Sequence, residues 1–221
     1  MEVFRLTGIS FSYLNGIEPI RDFSLVVGKG EFLMVSGENG SGKTTLLWIM
    51  AGLLFPQKGK VFFEGKPLTE KTAEDRKFSL WFRRRVGLLF QEPDVQLFSP
   101  TVGEDIAFGP RNLGLEDVSL RVARAAALMG LERLLGRPPH TLSWGQKKRA
   151  AIATVLAGNH DILLLDEPAA GLDSRWRDRL MAVLSDLIAS GKTIVVVAHD
   201  DPEMRAMAAK VVVMPGPDES V

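Results

Sequence analysis

Gly37-Glu38-Asn39-Gly40-Ser41-Gly42-Lys43-Thr44 follows the apolar run Phe32 to Val35 and precedes a helix-forming stretch from Lys43 to Leu54. Three glycines let so short a loop turn tightly and aim its N–H groups at phosphate oxygens, and a helix starting near Lys43 adds its dipole. In this strand-loop-helix setting the octapeptide predicts a P-loop, with Lys43 reaching the β/γ-phosphates and the Thr44 hydroxyl on Mg²⁺. Gly37, Glu38, Asn39, Gly40, Ser41, Gly42 and Thr45 complete the predicted phosphate-binding set.

Outward from this loop, short branched apolar runs recur at Val86 to Phe90, Ile162 to Leu165, Ile194 to Ala198 and Val211 to Met214. Continuous runs of that length suit strands buried on both faces, as in a parallel sheet. Helix-spaced stretches lie between them, at Leu120 to Met129, Gly145 to Ala157 and Arg175 to Ala189. The alternation predicts an α/β fold, a P-loop NTPase with a mainly parallel core sheet flanked by helices. Val3 to Val27 and Lys60 to Glu64, joined by turn signals such as Asn15-Gly16, predict an N-terminal antiparallel β lobe. From Glu92 to His140 the chain turns helical, with Pro93, Pro100, Pro110, Pro138 and Pro139 as punctuation, which predicts an inserted helical lobe. The expected division is a single domain over 1–221, with 1–91 and 150–221 as core and β lobe and 92–149 as helical lobe. The tail Pro215 to Val221 carries no element signal.

Composition narrows the partners. The 221 residues carry 27 Lys+Arg against 27 Asp+Glu, so no net field draws the chain to polyanions, and nucleic acid is not an expected partner. Absence of cysteine excludes disulfides and thiolate metal sites and fits a reducing compartment. The N-terminus has no uninterrupted apolar segment of signal-peptide type, and no apolar run approaches the roughly 20 residues of a membrane helix.

A second chemical signal lies about 120 residues after the P-loop, where Ile162-Leu163-Leu164-Leu165 ends in Asp166-Glu167. In P-loop enzymes an Asp at such a strand end orients the Mg²⁺ water shell, and a following Glu can polarise the attacking water. Between the two stands Leu142-Ser143-Trp144-Gly145-Gln146, before a helix carrying Lys147, Lys148 and Arg149. Ser143 by itself reads equally as a helix N-cap.

P-loop, pentapeptide and Asp-Glu in this order resemble the nucleotide-binding subunits of ABC transporters, whose signature LSGGQ is matched at four of five positions. The resemblance implies further roles: Tyr13 stacking on adenine, Gln91 as the Q-loop glutamine at Mg²⁺, Ala170-Gly171-Leu172-Asp173 as the D-loop, and His199 as the switch histidine at the γ-phosphate. It implies ATP and Mg²⁺ as cofactors and hydrolysis assisted by Lys43, Glu167 and His199, with Thr44, Gln91 and Asp166 toward the metal. It also implies a second ATPase subunit, a homodimer or related paralogue, whose Ser143, Gly145 and Gln146 complete the first one's ATP site. Trp144 departs from the signature, since a bulky residue does not readily take positive φ and its ring must point away from the phosphates.

Gln91 through Val102, then Glu104-Asp105-Ile106-Ala107-Phe108-Gly109-Pro110 and Arg137-Pro138-Pro139-His140, resemble the ATPases of energy-coupling factor importers of the cobalt and nickel (CbiO/EcfA) type. That resemblance implies a peripheral subunit at the cytoplasmic face of the membrane. It energises uptake of cobalt, nickel or a vitamin through transmembrane coupling and substrate-binding subunits. Glu92, Asp94, Glu104 and Asp105 are expected to meet basic residues of the coupling subunit. Only 22 residues follow His199, enough for a helix and a strand, so no extra C-terminal dimerisation region is expected. Alternatives are another ABC transporter class, a soluble ABC-type ATPase acting on nucleic acid, or a P-loop kinase.

Overall fold

The computed structural model describes residues 1–199 and 201–216. Residues 217–221, most of the tail left without an element, lie outside it. The chain opens with β1 (Glu2–Phe11) and β2 (Ile20–Gly28), which pair antiparallel, and continues into β3 (Phe32–Ser36), the P-loop and α1 (Lys43–Met50). The helix is shorter than the expected span to Leu54, because the chain turns out at Gly52 with φ +67°. β4 (Lys58–Phe63) returns antiparallel to β1, and β5 (Lys66–Pro67) completes a four-stranded lobe in the order β2-β1-β4-β5.

Two helices without a sequence expectation follow, α2 (Glu70–Glu74) and α3 (Arg76–Arg85). Asp75 caps α3, its side chain accepting the Phe78 N–H at 2.8 Å. The charged run of α3 is anchored by Phe82 and Trp81, which lie edge-on against Phe63 of the β lobe. Basic residues crowd this helix, which obscures its apolar face in the sequence.

β6 (Val86–Leu89) enters the second sheet, and the chain leaves it for the helical lobe: α4 (Pro93–Gln96), α5 (Val102–Asn112), α6 (Val118–Met129) and two short 3₁₀ turns. Pro110, read as punctuation, lies inside α5, whose last turn tolerates it. α7 (Trp144–Ala157) then runs unbroken through the expected boundary at 149/150 and packs on α5, α6 and β6. One continuous helix therefore joins lobe and core. β7 (Ile162–Asp166), α8 (Ser174–Ala189), β8 (Thr193–Val197), α9 (Pro202–Met207) and β9 (Lys210–Val213) complete the chain. The parallel sheet has the order β6-β7-β8-β3-β9, with Phe32 opposite Ile194 and Leu163 opposite Ile194 on its two sides.

Every residue of β3, β7 and β8 is buried because the sheet separates two cores. Side chains alternate across a strand. Phe32, Met34, Leu163, Leu165, Ile194 and Val196 therefore face the helical lobe and α8. Their neighbours Leu33, Val35, Ile162, Leu164, Val195 and Val197 face α1 and the β lobe. Two apolar layers of this kind fix the register, since a one-residue slip would exchange every side chain between cores. All five strands run the same way, so their C-terminal ends gather the loops at 37–42, 90–92, 166–173 and 198–199 along one edge.

Candidate nucleotide site

The loop after β3 reaches α1 through Gly42, at φ +88°, where a Cβ would overlap the Pro19 carbonyl. Only glycine fits both that conformation and that approach. Lys43 folds back over the loop, its Nζ donating to the carbonyls of Gly37 at 2.9 Å and Glu38 at 2.6 Å. Burial pushes its pKa down, opposed by the charges of Glu167 and Asp166. The Thr44 hydroxyl donates to Asp166 Oδ2 at 2.7 Å, linking α1 to the end of β7 across 122 residues of chain.

Asp166 is buried and its Oδ1 has no hydrogen-bond partner. Burial raises its pKa, countered by the Thr44 hydrogen bond and by Lys148 and Lys43. A buried oxygen left over beside a threonine hydroxyl suits a hard cation that takes oxygen ligands. No group of three or more His, Cys, Asp or Glu able to hold a metal occurs among the described residues. A cation here would therefore draw its remaining ligands from Gln91 of the same cleft, phosphate and water.

Glu167 sits at φ +46°, an uncommon conformation for a non-glycine residue, held by its N–H to Val197 O at 2.9 Å. Burial and then the Asp166 charge raise its pKa, while the His199 main-chain N–H and the Lys43 charge oppose the shift. The environment thus keeps Glu167 more basic than a surface carboxylate.

A cleft of about 570 Å³ brings together Tyr13, Asn39, Gly40, Gly42, Lys43, Thr44, Thr45, Gln91, Asp166 and Glu167. Asn15, Ile17, Pro19, Trp48 and Val197 also line it without having been singled out in the sequence, although the Asn15-Gly16 turn beside Tyr13 was a signal. The Tyr13 hydroxyl lies 3.0 Å from the Thr45 hydroxyl and its ring is edge-on to Phe11 at 4.9 Å, which sets the ring at the cleft wall. Gly37, Glu38 and Ser41 of the loop do not line the cleft, and Ser41 Oγ is buried without a partner.

Ser143, Gly145, Gln146 and His199 are likewise not part of the cleft wall. Ser143 and Gln146 form a capping box at the start of α7: Gln146 N–H donates to Ser143 Oγ at 3.3 Å, and Ser143 N–H to Gln146 Oε1 at 2.9 Å. Trp144 occupies the first helical position, so no positive φ is required of it. Its ring covers Gly171, where a Cβ would overlap it, and joins the two loops within one subunit. His199 is exposed at the end of β8.

Of the four acidic residues expected to meet a partner, Asp105 is not available. It is 3% exposed and accepts the N–H groups of Ser99 at 2.8 Å and Phe98 at 3.1 Å, shaping the turn before α5. Asp94 is exposed but paired with Lys147 at 2.6 Å, whereas Glu92 and Glu104 are open to solvent.

The family model described as ABC transporter matches residues 20–170. The ATP-binding protein EcfA of an energy-coupling factor transporter, from Methanocaldococcus jannaschii, is 43% identical over 97% of this chain and 76% of its own length. The nickel import ATP-binding protein NikO of Rhodobacter capsulatus is 43% identical over 96% of this chain and 85% of its own. Among solved structures, CbiO1 of Clostridium perfringens, part of the ABC transporter complex cbiONQ, superposes with a TM-score of 0.79 at 35% identity, covering 96% of this chain and 84% of that one. The ATP-binding cassette MJ0796, a dimer bound to ADP and Pi, gives 0.86 at 28% identity over 96% and 94%. Sequence and fold agree: the chain belongs to the ABC transporter family, as an ATP-binding, ATP-hydrolysing subunit similar to those of the energy-coupling factor (EcfA/CbiO) type.

Proposed function

We propose that this subunit energises an importer for cobalt, nickel or a vitamin by closing a head-to-tail dimer around ATP at the cytoplasmic face of the membrane. The observation that carries this reading is the separation of the signature from the P-loop: Ser143, Gly145 and Gln146 lie outside the cleft that holds Lys43, Thr44, Asp166 and Glu167. One chain thus presents two half-sites. A second copy or a related ATPase supplies Ser143 and the first N–H groups of its α7 to the γ-phosphate.

Within one half-site, Tyr13 provides an aromatic face for adenine, and the main-chain N–H groups of the loop residues that line the cleft, Asn39, Gly40 and Gly42, hold the phosphates with Lys43. The Thr44 hydroxyl, Asp166 Oδ1 and Gln91 would hold Mg²⁺, which supplies charge neutralisation on the phosphates. Glu167 accepts a proton from the attacking water, and His199 orients the γ-phosphate from the next strand. Thr45 supports Tyr13 from α1 through their hydroxyl contact.

The membrane partner fits the surface of α4 and α5. Val95, Phe98 and Phe108 are exposed there, with Phe98 and Phe108 edge-on at 4.7 Å and Glu92 and Glu104 nearby in the chain. An apolar patch with an acidic rim suits the basic, amphipathic end of a transmembrane coupling subunit. No helix among the described residues is long and apolar enough to cross a membrane. The relatives named for nickel import and energy coupling support the cargo class.

Co-expression with candidate coupling subunits tests the reading. Wild-type protein should co-purify with its membrane partner, and cells holding the complex should accumulate nickel, cobalt or a vitamin in an ATP-dependent manner. Phe98→Glu with Glu104→Lys should abolish co-purification while ATP binding survives. Unchanged assembly, or ATP-stimulated binding of RNA or DNA without any membrane partner, would overturn it.

A further inference from the structure

Lys148 is fully buried in the second turn of α7 and forms no ion pair among the described residues. Its Nζ donates to Gln91 O at 2.8 Å and lies 3.3 Å from Asp166 O and 3.4 Å from Phe90 O. An ammonium has three protons to place, and here they meet main-chain carbonyls from two separate segments. One segment leaves β6 for the helical lobe, and the other is the end of β7 that carries Asp166 and Glu167. A buried cation is costly to place, and that cost is offset here by hydrogen bonds to main-chain carbonyls together with the charges of Asp166, Glu167 and Glu92, which act on it without forming an ion pair. One turn earlier on the same face, the Trp144 ring lies 5.8 Å from this ammonium and covers Gly171. The start of α7 therefore touches the Q-loop, the strand end and the D-loop together.

We propose that Lys148 is a positioning residue for ATP hydrolysis: its ammonium clamps the Q-loop main chain at Gln91 to the end of β7, so that movement of α7 with the helical lobe moves Gln91 and resets Asp166 and Glu167. The clamp acts through main-chain atoms and touches no substrate. It rests on the roles proposed above for Gln91, Asp166 and Glu167.

Lys148→Met keeps the length of the stem and removes the donors, and Lys148→Gln restores two neutral ones. Measured on the full chain, Lys148→Met should lower kcat roughly 10- to 100-fold while KM and ATP affinity stay within about threefold, the size expected of a lost outer support. Lys148→Gln should recover part of the rate. Hydrogen exchange without nucleotide should rise in peptides covering 88–93 and 164–168 and stay unchanged elsewhere. Wild-type kcat per folded molecule in Lys148→Met would overturn the proposal. So would a parallel fall of ATP affinity and rate with exchange raised along the whole chain, the mark of a general structural role. If Lys148→Met does not fold, Lys148→Gln decides by the same kcat and exchange criteria. A wild-type chain that hydrolyses no ATP would refute the reading of the site, while the exchange pattern would still test the clamp.

Discussion

The two ends of the parallel sheet are made by the same strands and treat their polar groups in opposite ways. At the C-terminal end, Ser41 Oγ and Asp166 Oδ1 are buried without partners, Lys43 is turned onto its own loop, and Glu167 is held at positive φ. At the N-terminal end, Arg85 reaches Glu64 at 2.6 Å and Asp161 at 2.7 Å, although its Nε points off the hydrogen-bond direction to Asp161. Lys192 lies 3.5 Å from Asp161, and the His160 ring fills the space against Gly87 and Gly158, its Nδ1 3.3 Å from Arg84 O. The first end retains charge and strain directed into a cleft; the second is packed and paired. The difference separates chemistry from stability along a single sheet, as expected for open α/β folds whose ligands bind beyond the carboxyl ends of the strands.

Substitutions at the two ends should therefore fail in different assays. The largest effect belongs to Glu167→Gln, which should lower phosphate release about 10²- to 10⁴-fold, the usual worth of a positioned base. Its thermal midpoint should not fall, because the amide removes a half-buried charge beside Asp166. The variant should also accumulate as an ATP-bound dimer in light scattering; hydrolysis at the wild-type rate would show that Glu167 is not the base.

At the opposite end, Gly87→Ala places a Cβ into the His160 ring and against Val155. It should cost about 1–3 kcal/mol in urea unfolding, the usual cost of overpacking, with turnover per folded molecule unchanged. His160→Ala in the same chain should return part of that loss, because the clashing ring is gone.

Burial lowers the pKa of His160, and its hydrogen bonds to the main chain of Arg84 and Arg83 only partly oppose this. The unfolded chain therefore binds the proton more readily than the native one. The stability conferred by neutral His160 is complete above its unfolded pKa, about 6.5, and is lost as pH falls through the lower folded value. Melting followed from pH 8 down to pH 5 should show this decline, and His160→Gln should flatten it.

The smallest effect is expected of Asp161→Asn. Asp161 is more than half exposed, so losing its pairs with Arg85 and Lys192 should cost about 0–1 kcal/mol and less in high salt. A loss as large as that of Gly87→Ala would mean that ion pairing, more than ring packing, stabilises this end.

Much of the C-terminal end of the sheet was legible because its candidate site is written in contiguous motifs. Residues 37–45 and Asp166-Glu167 each follow a buried strand, and strand direction delivers both to one edge. The strands themselves were legible for a related reason: a run apolar on both faces has little choice but the middle of a sheet. The helix Arg76–Arg85 was not legible, since RKFSLWFRRR is dominated by charge and its apolar face acquires a partner only when Phe63 arrives from the β lobe. Asp105 misled for the converse reason. In sequence it is one more carboxylate in an acidic stretch, and only the turn at Phe98 and Ser99 reveals that its Oδ1 accepts two main-chain N–H groups while its Oδ2 is buried without a partner.

The amino-acid sequence by itself determined the sheet strands, the phosphate loop and the carboxylates, because each depends on neighbours a few residues away. Tertiary structure alone decided that Thr44 meets Asp166, that Trp144 lies on Gly171 and that Lys148 gathers the carbonyls of Gln91 and Asp166. Those pairings join residues distant in the chain. Local pattern cannot specify them: they arise from the stacking of two cores on one twisted sheet, which sets where each strand end and each turn of α7 comes to rest.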